Sequence, residues 1–102
     1  MAEGILQIVR QVLNLEDIEG LLSLGAPPDE YDREAQLVGQ KVQDFLASRP
    51  ERPLSGGEVA DALRDVWNET FGPFSQEELA KREAAFSRAA AEIIRLVGGT
   101  AG

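Results

Sequence analysis

The sequence predicts an all-α protein: a compact bundle of four main helices with a short extra helix after the first. Three observations predict it. Apolar residues recur at spacings of three and four in four long stretches, a Ser-x-x-Glu signature twice precedes such a stretch, and no run alternates apolar with polar. A chain of 102 residues holds one core. We expect residues 1–99 to form a single domain and 100–102 to be a frayed tail.

The first stretch, Ala2 to Asn14, places Ile5, Ile8, Val9, Val12 and Leu13 on one side of a helix and Glu3, Gln7, Arg10, Gln11 and Asn14 on the other. A membrane-surface anchor would want a basic polar face, so this helix is read as core-packing. Leu15 to Leu24 carries Ile18, Leu21 and Leu22 opposite Glu16, Asp17 and Glu19, which predicts the extra helix despite Gly20 inside it. Gly25 suits the left-handed close of that helix, and Pro27 and Pro28 forbid its continuation.

Asp29 is then expected to cap the central helix, its carboxylate accepting from the Asp32 amide while Glu30 and Asp32 favour the positive end of the dipole. Tyr31, Ala35, Val38, Val42, Phe45 and Leu46 make its inner stripe, and Pro50 should end it near Arg49, ahead of a Glu51-Arg52-Pro53 connection. Ser55 and Glu58 form a capping box, with Leu54 positioned to fold onto Val59. That helix turns Val59, Leu63, Val66, Trp67, Thr70 and Phe71 inward and stops at Gly72-Pro73. Ser75, Glu78, Phe74 and Leu79 repeat the device, and the last helix runs inward through Phe86, Ala89, Ala90, Ile93, Leu96 and Val97 to Gly98-Gly99.

Composition removes several chemistries. There is no cysteine and no histidine, so disulfides, thiolate nucleophiles, and the commonest general base and metal ligand are all excluded. No apolar run reaches membrane-spanning length and the first residues are not a basic leader, so a soluble, cytoplasmic protein is expected. Net charge is -8, and residues 1–34 hold eight acids against Arg10 and Arg33, which concentrates -6 in the first third. That balance repels phosphate backbones and anionic lipid, and it favours a basic partner surface, metal ions or simple solubility.

The most unusual stretch is Pro27 to Glu34, where Asp29, Glu30, Asp32 and Glu34 surround the single tyrosine, Tyr31. Carboxylates three and four apart share a helix side, and oxygen-only donors suit Mg²⁺, Ca²⁺ or Mn²⁺. The spacing is not that of an EF-hand, and a di-iron bundle would require histidine. The plain alternative is helix-start chemistry, with the acids favouring the dipole and Tyr31 packing its ring on the core edge. Ser55-Gly56-Gly57 lacks the lysine of a P-loop and is read as a cap. The third helix offers only Arg64 against Glu58, Asp61, Asp65 and Glu69, which argues against DNA binding by a helix-turn-helix. Lys81, Arg82, Arg88 and Arg95 are read as solvated partners of Glu78 and Glu92, and Trp67 as core.

Asp29-Glu30-Tyr31-Asp32-Arg33-Glu34, the helical stripe after it and Phe71-Gly72 together resemble the YugE-like family of small, uncharacterised bacterial helical proteins. In that family an Asp-Glu-Tyr-Asp-x-Glu segment opens a long helix, and a later helix ends in Phe-Gly. The family's upstream Trp-Asp-Pro-type loop corresponds here to Leu15-Glu16-Asp17-Ile18, which keeps only the aspartate. The resemblance implies an all-helical fold with no established enzymatic activity.

Two functional readings follow. The first is a non-enzymatic protein-binding module that meets a basic protein partner, to neutralise or regulate it, through Glu16, Asp17, Glu19, Asp29, Glu30, Tyr31, Asp32 and Glu34, with no catalytic residues and no cofactor. The second is a divalent-metal module or metal-dependent enzyme using Asp29, Asp32 and Glu34, with Tyr31 or Glu30 assisting. A homodimer through apolar surface on the first helix or on Trp67 is a third, blander outcome.

Overall fold

The computed structural model describes residues 2–27, 29–48 and 54–101, and within them the side chains of 4–97. Four helices make up its regular structure: α1 (Ala2–Glu16), α2 (Asp32–Ser48), α3 (Gly56–Phe71) and α4 (Gln76–Ala101). α1 packs against α2 and α4, and α3 packs against the same two, so the helices close a ring. Among the described residues there is no strand. The expected helix stop at Arg49-Pro50, the Glu51-Arg52-Pro53 connection and Pro28 lie outside the described residues.

The core lies where the four apolar stripes meet. Val9, Val12 and Leu13 come from α1, Val38 and Val42 from α2, Leu63, Val66 and Trp67 from α3, and Phe86 and Ile93 from α4. Each large side chain so buried contributes roughly 1.5–3 kcal/mol relative to exposure, which is what holds four short helices together. Ile5, Ile8, Leu46 and Leu96 are half-buried around this centre.

Both capping boxes form. The Ser55 side chain accepts from the Glu58 amide while the Glu58 carboxylate accepts from Ser55, and Ser75 and Glu78 do the same at 3.1 Å each way. Leu54, Phe74 and Leu79 rest half-buried against the core, as residues flanking such caps should. α3 stops at Gly72, whose amide donates to the Asn68 carbonyl. A Cβ there would lie 2.5 Å from that same carbonyl oxygen and 2.7 Å from the Phe74 nitrogen, so only glycine fits. α4 runs past Gly98-Gly99 to Ala101, further than expected, because glycine weakens a helix by about 1 kcal/mol without forbidding it.

The extra helix expected over Leu15–Leu24 does not form; residues 18–25 are turns and a bend. Three residues in the left-handed region explain this. Asp17 (φ 45°) ends α1, with its amide donating to Leu13 as in an αL cap, and Gly20 (φ 72°) and Gly25 (φ 101°) reverse the chain again. The Asp17 carboxylate also takes the amides of Leu22 and Ser23, each at 3.0 Å, offering the backbone partners that a helix would otherwise supply. One turn does survive: Gly25 and Ala26 donate to Leu22 and Leu21 in the pattern that closes a helix at a glycine.

α2 begins at Asp32, later than an Asp29 cap would place it. The Asp32 amide donates to the Asp29 carbonyl at 3.1 Å and not to its carboxylate, while the Tyr31 carbonyl accepts the first helical bond, from Ala35. Tyr31 therefore sits at the helix boundary.

Candidate functional site

Tyr31 has no exposed surface, and its ring stacks on Trp67 with centroids 5.8 Å apart. Trp67 in turn meets Phe71 at 5.3 Å and Phe86 edge-on at 6.2 Å, so one aromatic cluster joins the start of α2 to α3 and α4. Buried tyrosine and tryptophan still need polar partners for their hydroxyl and indole N–H. Both partners come from the loop after α1.

The Tyr31 hydroxyl donates to Asp17 Oδ1 at 2.7 Å and accepts from the amides of Glu19 (3.2 Å) and Leu21 (3.4 Å). Asp17 also accepts from the Ser23 hydroxyl at 2.8 Å. Burial works against its charge, but the hydrogen bonds from Tyr31, Leu22 and Ser23 prevail and hold its pKa at about 2. Burial and the Asp17 hydrogen bond push Tyr31 up to about 12.

Glu19 makes the second connection. Its carboxylate accepts from the Trp67 indole at 2.8 Å and from Arg82 Nε and Nη2 at 2.6 and 2.8 Å, a bidentate pair with side chains only 14% and 21% exposed. Arg82 lies over the Phe74 ring at 4.2 Å and donates to the Glu78 carbonyl. Hydrogen bonding to Arg82 holds the Glu19 pKa below the usual carboxylate range.

These contacts reassign most of the residues singled out from the sequence. Glu16 pairs with Arg88 of α4 at 3.3 Å, Asp17 holds Tyr31, and Glu19 holds Trp67 and Arg82. Asp32 Oδ1 lies 2.9 Å from Arg10 Nε, a charge pair by proximity whose geometry is not that of a hydrogen bond. Tyr31 and Glu34, expected on a partner-facing surface, are inside; the phase of α2 turns both inward along with Ala35 and Val38. Asp29 and Glu30 alone of the eight are exposed and make no side-chain hydrogen bond or ion pair among the described residues.

Glu34 is 4% exposed, and its Oε1 is sealed from solvent without a hydrogen-bond partner among the described residues. Burial, opposed by its own amide, raises its pKa. The metal ligands expected at Asp29, Asp32 and Glu34 do not gather: one points out, one faces Arg10 and one is buried, and among the described residues no three acids converge on a point. Trp67 has no exposed surface and so offers no apolar patch for a dimer.

The sequence reading missed the long-range pairs. Spacing pairs Arg82 and Arg88 with neighbours on their own helix, whereas they cross to Glu19 and Glu16; Arg95 does pair with Glu92, three residues away. The available signal was the need of a lone buried tyrosine and a lone buried tryptophan for polar partners, with Asp17 and Glu19 next to a glycine turn. No spacing rule supplies the pairing.

The arrangement defines a class: a four-helix bundle whose loop between α1 and α2 is bolted to the aromatic core. No family model, curated protein or solved structure matches the chain. No helix among the described residues is long and apolar enough to cross a membrane.

Proposed function

We propose that the protein is a small acidic, non-enzymatic binding module that engages a basic surface on a protein partner. The observation behind this reading is the corner at the start of α2, where Asp29 and Glu30 are exposed and, among the described residues, unpaired on a turn anchored from beneath by Tyr31. A corner fixed in place before binding loses little conformational entropy when a partner arrives, so modest charge contacts give useful affinity. The net charge of -8 steers basic proteins toward it. The acids buried or paired elsewhere serve the fold, which leaves recognition to those at the surface. The YugE-like motif adds the expectation of a bacterial protein with no established enzymatic activity, although two of its six residues here, Tyr31 and Glu34, face inward.

Affinity capture from native lysate at low ionic strength, repeated across a salt series, tests this reading. A genuine partner is released steeply between low and high salt and is lost when Asp29→Lys and Glu30→Lys are combined, with helicity unchanged. Retention of every captured protein by the double variant would contradict the proposal.

A further inference from the structure

We propose that the exposed part of the loop between α1 and α2, residues 24–30, is a two-part docking epitope for a short basic segment of a protein partner: Leu24 is the apolar anchor, and Asp29 and Glu30 hold the segment's cations. This rests on the basic-partner reading and adds to it an apolar contact and the kind of segment that fits.

Three large apolar side chains stand exposed among the described residues: Leu15, Leu24 and Leu37. Leu24 is the most exposed of them, at 83%, and lies outside the packed core. Its backbone is nonetheless held. The Leu24 amide donates to the carbonyls of Leu21 (3.1 Å) and Gly20 (3.2 Å), and the amides of Gly25 and Ala26 donate to Leu22 and Leu21, each at 3.0 Å. One carboxylate closes the stretch at both ends: Asp17 Oδ2 accepts from the Ser23 amide and hydroxyl, and Asp17 Oδ1 accepts from the Tyr31 hydroxyl. Above that clamp Leu24, Gly25, Pro27, Asp29 and Glu30 are exposed, and only Ala26 among the described residues of the stretch is half-buried. A leucine held in water by the hydrogen bonds around it adds nothing to the core, but it loses little freedom when a partner covers it.

Charge selects what covers it. Five residues separate Leu24 from Asp29, so their backbones lie within about 18 Å of each other, and the turn that brings the Glu30 amide to the Pro27 carbonyl at 3.0 Å shortens the span. Asp29 and Glu30 make no side-chain hydrogen bond or ion pair among the described residues, so both carboxylates are open to a visitor's cations. The complement is an extended segment that sets an apolar side chain on Leu24 and arginines on the two acids, since guanidinium pairs bidentately with carboxylate and tryptophan and arginine are the side chains that most often anchor interfaces. Leu15 provides the contrast. It is 75% exposed, but the acids beside it in the hollow between α1 and α4, Glu16 and Glu92, are already paired with Arg88 and Arg95, so nothing there selects a charged visitor. Leu37, the least exposed of the three, is more than half covered.

The test uses the full chain with three labelled eight-residue peptides: alternating arginine and tryptophan, alternating glutamate and tryptophan, and alternating arginine and serine. Fluorescence anisotropy gives affinity, and amide chemical shifts give location. The arginine/tryptophan peptide should bind best and move the amides of residues 23–30. Its affinity should fall about fivefold or more with Leu24→Ser, and about tenfold or more when Asp29→Lys and Glu30→Lys are combined, while Leu15→Ser changes it less than about twofold. Thermal melts should show Leu24→Ser as stable as the parent chain. Equal binding of the arginine/serine peptide, or indifference to Leu24→Ser, would overturn the epitope while leaving the basic-partner reading standing. Shifts centred outside residues 23–30, or a lowered melting temperature for Leu24→Ser, would also overturn the epitope. Equal binding of the glutamate/tryptophan peptide, or failure of both arginine peptides, would overturn the epitope and the basic-partner reading together. Self-association abolished by Leu24→Ser would seat a second copy on the loop and overturn the assignment to a basic segment.

Discussion

Glu34 shows how one residue can work against the fold it belongs to. Its carboxylate is enclosed with one oxygen unpartnered among the described residues, and burial raises its pKa. A raised carboxylate favours the folded state only while protonated; that stability is complete below the ordinary glutamate pKa and is lost as pH rises through the raised value. Above that raised value the native state carries a desolvated charge. At pH values above it, Glu34→Gln should stabilise the protein, on the order of 1 kcal/mol, by replacing that charge with a neutral group of similar shape. Thermal melts from pH 7 to pH 3.5 should show the advantage vanish at the acid end. A destabilised variant at those pH values would mean that the carboxylate has a partner that the amide cannot replace. The helical phase of α2 was legible from Tyr31, Ala35 and Val38, so the inward position of residue 34 followed from spacing; its polarity obscured it.

The loop between α1 and α2 is an element without regular structure, yet it is held by side chains from three helices' worth of sequence. Asp17 and Tyr31 close it, while Glu19 ties it to α3 and α4. Tyr31→Phe removes one donor to a carboxylate and the acceptor of two amides, which should cost about 1–3 kcal/mol without altering the core packing of the ring. Asp17 has a depressed pKa, so its contribution is present above the ordinary aspartate value and is lost as pH falls through about 2. In Tyr31→Phe that depression shrinks, and the acid-unfolding midpoint should move upward; an unmoved midpoint would show that the hydroxyl does not set the Asp17 charge. The elements that sequence predicted best were those whose signals are local: Ser55 with Glu58, Ser75 with Glu78, and the stop at Gly72-Pro73. The extra helix failed for a reason that apolar spacing does not expose. Ile18, Leu21 and Leu22 have helical spacing, but Asp17 and Gly20 take left-handed geometry and the Asp17 carboxylate captures the amides that a helix needs.

For the molecule as a whole, the uneven charge of the first third turns out to be largely structural. Six of its eight acids lie between Glu16 and Asp32, and of these Glu16, Asp17, Glu19 and Asp32 are paired with groups elsewhere in the fold. Sequence revealed the number of acids and not their partners, because a pairing across 63 residues, as between Glu19 and Arg82, is set by helix packing. Asp29 and Glu30, at the α2 corner, are left exposed without a charge partner among the described residues. The claim beneath all of this is that the acidic loop is part of the folded core. Native-state amide hydrogen exchange measures it directly at Glu19, Leu21, Leu22 and Ser23. Protection within about tenfold of the α2 core amides is predicted, through one shared global opening; exchange near unfolded-chain rates while the four helices stay protected would contradict it.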